Sequence, residues 1–112
     1  METPTMLTTA GRLMAVMMAL HAIPGQAGDH LVLQKGNAFA IQRLEIRVGD
    51  TVKFLNLDPV PHNAFSLSSS NPFDTRMLTK GDSKDIVFGN PGIVDVECAI
   101  HPGMRMSIEV RR

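Results

Sequence analysis

The chain predicts an all-β fold, a small antiparallel sandwich or barrel, and three observations carry that reading. Beyond Gly28, apolar and polar residues alternate with period two; turn residues separate the alternating segments at short intervals; and no 3.6-residue period is visible. His30-Leu31-Val32-Leu33-Gln34-Lys35 is apolar enough for a first strand, and Gly36-Asn37 ends it. Leu44, Ile46 and Val48 alternate with Glu45 and Arg47, Gly49-Asp50 turns the chain, and Thr51–Asn56 resumes with Val52 and Phe54 facing inward. Ala64–Leu67 is a short strand and Ser68-Ser69-Ser70-Asn71-Pro72 a polar loop. Phe73–Lys80 reads as neither strand nor loop. Ile86–Phe88 is a strand closed by Gly89-Asn90-Pro91-Gly92. Val94, Val96 and Cys98 then share one face opposite Asp95 and Glu97, and Met106, Ile108 and Val110 share a face of the last strand.

Residues 1–27 differ in character from the rest. Leu13–Ile23 is an apolar run of eleven residues interrupted only by His21 and bracketed by Arg12 and Pro24-Gly25. It is too short to cross a bilayer and has the length of a signal-peptide hydrophobic region, with Gly25-Gln26-Ala27 supplying small residues for cleavage after Ala27. The expected organisation is a signal peptide at 1–27 and one domain at 28–112, exported to the periplasm or beyond. A core helix is the alternative reading of the leader. Five of the eight Met lie in this segment, so Met richness says little about the domain.

Eleven basic residues balance eleven acidic ones, which gives no electrostatic footprint for nucleic acid. One Cys excludes an internal disulfide, leaving packing, a reactive thiol or metal ligation. Cys98 sits at a strand end, three residues before His101 in a Pro-Gly loop, and Met104 follows three residues later. A C-x-x-H pair also suits zinc, but a thioether favours copper over zinc, and two His, one Cys and a weak Met form the ligand set of a blue-copper centre. His62, in Pro61-His62-Asn63, supplies the second imidazole, because loops of a sandwich cluster at its ends. Taken singly, Cys98 reads as core packing and His101 as a surface loop residue; their order and spacing point to one copper ion cycling between Cu(I) and Cu(II). After cleavage at Ala27, Gly28-Asp29-His30 would also present a square-planar nitrogen set for Cu(II), although His30 reads first as an ordinary strand residue.

The stretch Gly49-Asp50-Thr51-Val52…Asn56…Pro61-His62-Asn63, followed by Cys98-x-x-His101-Pro102-x-Met104-Arg105, resembles the cupredoxins, in particular their amicyanin-like and plastocyanin-like members. The resemblance runs from about Leu31 to the end of the chain. It implies an antiparallel Greek-key β-sandwich with a type 1 copper held by His62, Cys98, His101 and Met104, and a role for Asn63 in tying its loop to that of the cysteine. Ala99-Ile100, Val96 and Met106 depart from the family pattern. Met106 has the spacing of the axial ligand in other cupredoxins and is the alternative to Met104; strand phase makes Met106 a core residue and favours Met104.

Four protein donors leave no open coordination position, so the expected function is electron carriage and not enzymatic catalysis. A transient redox protein is the expected partner of a monomer without a membrane span in its mature form. Copper carriage or buffering by the same ligands is the second reading. A thiol- or zinc-dependent enzyme lacks an orienting carboxylate in the sequence pattern.

Overall fold

The computed structural model describes residues 26–112. The leader proposed for 1–27 lies outside the described residues but for its last two positions. Eight strands follow one another: β1 (Asp29–Gln34), β2 (Arg43–Arg47), β3 (Thr51–Asn56), β4 (Phe65–Ser66), β5 (Phe73–Asp74), β6 (Ser83–Val87), β7 (Gly92–Glu97) and β8 (Arg105–Arg111). They form two sheets, β1-β3-β6 and β2-β8-β7-β4-β5. The alternation read from the sequence sets which side of each strand faces the core: Val32, Val52 and Phe54 from one sheet meet Ile46, Val94, Val96, Ile108 and Val110 from the other, all buried. With no Trp or Tyr available, four phenylalanines fill the middle. Phe54 lies edge-on to Phe39 and stacks on Phe73, which meets Phe88 edge-on, with centroids 5.6–6.3 Å apart.

The expected all-β sandwich is present, and within it two strand pairs run parallel. β1 runs parallel to β3, with Asp29 opposite Thr51, and β2 runs parallel to β8, with Arg43 opposite Ser107. The chain leaves β1 for the other sheet, forms β2 there and returns to form β3. Two crossings restore the original direction, so the neighbours are parallel. The unassigned stretch after Asn71 resolves into β5, which pairs with β4, and an isolated bridge between His62 and Leu78.

At the opposite end from the future site, Asp50 gathers the start of the sheet. Its carboxylate accepts hydrogen bonds from the Gly28 and Arg47 amides at 2.7 and 3.0 Å and lies 2.8 Å from His30 Nε2. With Gly28 and His30 already engaged on Asp50 and Gly28 O accepting from Thr51 N, His30 acts as a strand residue; a square-planar metal wrap at Gly28-Asp29-His30 would require this strand end to detach.

Candidate metal centre

Three loops converge beyond the ends of β1, β3 and β7. The loop after β3 contains Asp58-Pro59-Val60-Pro61-His62. Its two prolines each fix φ and lack an amide donor, which takes this stretch out of the sheet before His62 rejoins by bridging Leu78. His62 N donates to Leu78 O at 3.1 Å and Leu78 N to His62 O at 2.7 Å, so the backbone under the imidazole is clamped on both sides. The imidazole itself is fully buried.

Cys98 follows directly on β7, its side chain on the inward face with Val94 and Val96, and it is buried. The loop to β8 is tight: Met104 N donates to His101 O at 3.0 Å and Cys98 N to Met104 O at 3.2 Å. Gly103 makes this return possible, since its φ of 101° is a conformation that a side chain disfavours. The turn leaves His101 partly exposed and buries Met104. Met106, the alternative axial donor, stands on β8 opposite Val96 and packs in the core with Ile108 and Val110.

Three donor atoms meet where these loops meet. His62 Nδ1 and His101 Nδ1 are 3.1 Å apart, and Cys98 Sγ lies 3.9 Å from the first and 3.7 Å from the second. A point equidistant from all three lies about 2.1 Å from each, inside the roughly 2.0–2.3 Å range of metal–imidazole and metal–thiolate bonds. The triangle therefore has the size that one metal ion requires, and it is the one such cluster among the described residues.

The far side of the His62 ring contains a residue that the sequence reading did not single out. Asp58 Oδ2 lies 2.7 Å from His62 Nε2. An ionised carboxylate there requires the proton on Nε2, which leaves Nδ1 as a lone pair aimed at Cys98 and His101. The carboxylate is held well below its usual range, at about 2: the Asn37 amide does most, burial opposes it, and the bonds from His62 and the Gly36 amide add to the lowering. These amides, 2.7 and 2.9 Å away, belong to the loop between β1 and β2, so Asp58 couples that loop to the imidazole. A carboxylate four residues before a histidine, across two prolines, was the available sequence signal.

Asn63 links the two ligand loops. Its Oδ1 accepts from Ala99 N at 2.8 Å, the residue after the cysteine, and its Nδ2 donates to Asp74 at 3.2 Å. The chain neighbours of the partly exposed His101, namely Ile100, Pro102 and Gly103, and the residues just before His62, namely Pro59, Val60 and Pro61, are exposed and uncharged.

Comparison with known proteins agrees with this arrangement. No protein-family model matches the chain. Amicyanin of Paracoccus versutus is 35% identical over 68 residues, covering 58% of this chain and 52% of its own, and amicyanin of Paracoccus denitrificans is 30% identical over 70 residues, covering 60% and 53%. The chain thus spans about half the length of the relatives it matches. Among solved structures, a purple cupredoxin from Nitrosopumilus maritimus superimposes with a TM-score of 0.64 at 28% identity, over 73% of this chain and 99% of that one. A copper-containing nitrite reductase from Thermus scotoductus gives 0.71 at 34% identity over 75% of this chain, but only 22% of the reductase is covered. In fold, in the donor triangle and in sequence, this chain is similar to the amicyanin-like cupredoxins.

Proposed function

We propose that the protein is an exported one-electron carrier in which His62 Nδ1, Cys98 Sγ and His101 Nδ1 would hold a single copper ion, with Met104 as a fourth, weaker donor. The observation that supports this most directly is the triangle of one buried thiol and two imidazoles at 3.1–3.9 Å. Copper bound there would supply a one-electron couple, since soft sulfur favours Cu(I) while imidazole suits Cu(II).

The residues of the chain do the rest. Asp58 and the Leu78 bridge hold His62, and Asn63 holds the cysteine loop to it, so the donors are fixed before any ion arrives. Such fixed geometry lowers the rearrangement that accompanies a change of oxidation state. The partly exposed His101 ring is the exit for the electron, and the uncharged surface around it suits a small, transient contact with a redox partner. Four protein donors leave no open position for a substrate, which favours carriage over catalysis. The nitrite reductase surrounds its similar portion with a much longer chain, so its activity does not extend to this protein.

The test is colour. Purified protein given Cu(II) should develop an intense thiolate-to-copper charge-transfer band that ascorbate abolishes. Cys98→Ala should fold without that band. A strongly coloured Cys98→Ala variant, or a colourless wild type, would reject the assignment. Copper carriage without redox cycling would instead show as loss of Cu(I) to a chelator within minutes, which the burial of Cys98 disfavours. Mass analysis of the exported protein should give a chain starting at Gly28.

A further inference from the structure

Gln34 ends β1 on its inward face, where the preceding inward position is Val32, and it is fully buried. Its Oε1 is the one buried side-chain polar atom without a partner among the described residues. An orphan acceptor is costly, and an apolar residue of similar volume would avoid the cost. Its single side-chain bond runs from Nε2 to the carbonyl of Asn63, at 3.2 Å. The reversed amide would set two oxygens against each other, so this bond fixes the orientation of the amide.

The bond has a clear occasion. His62 and Ala64 turn their main-chain groups toward the Thr75–Leu78 segment, which pairs with both. The intervening carbonyl of Asn63 points away from that segment and receives no main-chain donor. Left alone it would be a second buried orphan. Gln34 reaches across from the other sheet to satisfy it. Asn63 is then gripped from three directions: by Gln34 of β1 on its carbonyl, by Asp74 of β5 on its amide nitrogen, and by Ala99 of the cysteine loop on its amide oxygen.

We infer that Gln34 is a positioning residue for the metal centre, holding the Asn63 bracket that sets His62 against Cys98. The inference rests on the copper reading for its functional consequence, but the clasp itself does not need the metal. Losing the clasp should loosen the two ligand loops relative to each other while leaving the sandwich intact.

The experiment compares wild type, Gln34→Met and Val32→Ala, first without metal. Gln34→Met keeps the side-chain length and removes the donor and the orphan acceptor together. Amide exchange at Ala99, whose N–H rests on Asn63, should speed up about fivefold, the equivalent of one net hydrogen bond, while Val94 and Val96 on β7 keep their wild-type rates. Val32→Ala, which only thins the core, should speed exchange at all three together. If Ala99 in Gln34→Met moves only in step with β7, Gln34 is a structural filler and the inference fails. With copper bound, Gln34→Met should show a several-fold slower electron self-exchange rate. An unchanged rate in a copper-loaded variant would also overturn it. If Ala99 responds but no variant or wild type binds copper, the clasp is supported and the copper reading has failed. Should Gln34→Met not fold, wild type still decides: the Gln34 Nε2 protons should exchange slowly and show hydrogen-bond coupling to the Asn63 carbonyl carbon, and free exchange there would reject the clasp.

Discussion

At the scale of single residues, the two faces of the His62 ring have different work. Nδ1 faces the thiol, and Nε2 is bound by Asp58, which brings a negative charge close to the ligand set. Asp58→Asn keeps an acceptor for Nε2 but removes the charge. Copper affinity should fall about 10- to 100-fold, as for other partners of metal-bound histidines, and the reduction potential should rise, because less negative charge stabilises Cu(II). Competition with a chelator and a redox titration measure the two; no change in either would reduce Asp58 to a staple for the Gly36-Asn37 loop. The two methionines make a second pair of outcomes. Met104→Gln should shift the spectrum and lower the potential, since a harder oxygen donor favours Cu(II). Met106→Leu, a volume-conserving change on β8 opposite Val96, should leave both nearly unchanged and cost less than about 1.5 kcal/mol. A spectrum that follows Met106 instead would reverse the axial assignment.

At the scale of elements, Asp50 shows how one carboxylate can set the start of a sheet. Burial pushes its pKa up, but the amides of Arg47 and Gly28 and the His30 side chain outweigh that and hold it below the usual carboxylate value. A carboxyl with a depressed folded pKa contributes stability that is complete above its unfolded pKa of about 3.9 and is lost as pH falls below that value. Metal-free Asp50→Asn should therefore be less stable than wild type near neutrality, by about 2 kcal/mol, and the difference should shrink toward pH 3. Thermal melts across that range measure it, and parallel curves would remove Asp50 from the acid response. Most strands were legible because burial on one face writes itself into alternation: Val94, Val96 and Cys98 lie inward as their phase requires. Partner choice was not legible. Alternation says which side of β2 is buried but nothing about β8, some sixty residues on, running parallel to it. The same limit hid Gln34 and Asp58, whose roles depend on which loops meet at one end. That His62, Cys98 and His101 come together was readable, because a spaced set of donor side chains is more restrictive than packing, and the bracket between Asn63 and Ala99 followed from the family resemblance.

At the scale of the whole molecule, the site is also a clamp on a small domain. The sandwich of residues 26–112 buries a limited share of its surface, so its own core leaves a modest margin of stability. The candidate donors come from two loops, after β3 and β7, and Asp58 adds the loop after β1. An ion that binds this folded arrangement, and not the open chain, shifts the equilibrium by mass action: at a free concentration a thousand times its dissociation constant it adds about 4 kcal/mol. For a domain of this size each kcal/mol moves the melting temperature by roughly 4–8 °C. Copper loading should therefore raise the melting temperature by about 15–30 °C, increasingly so with free ion, and removal by a chelator should return it to the metal-free value. Cys98→Ala should abolish most of the gain while melting close to the metal-free wild type, because it deletes a donor and little packing volume. If Cys98→Ala gains as much from copper as wild type does, the ion is stabilising the domain from somewhere else, and the triangle of His62, Cys98 and His101 is not where it binds.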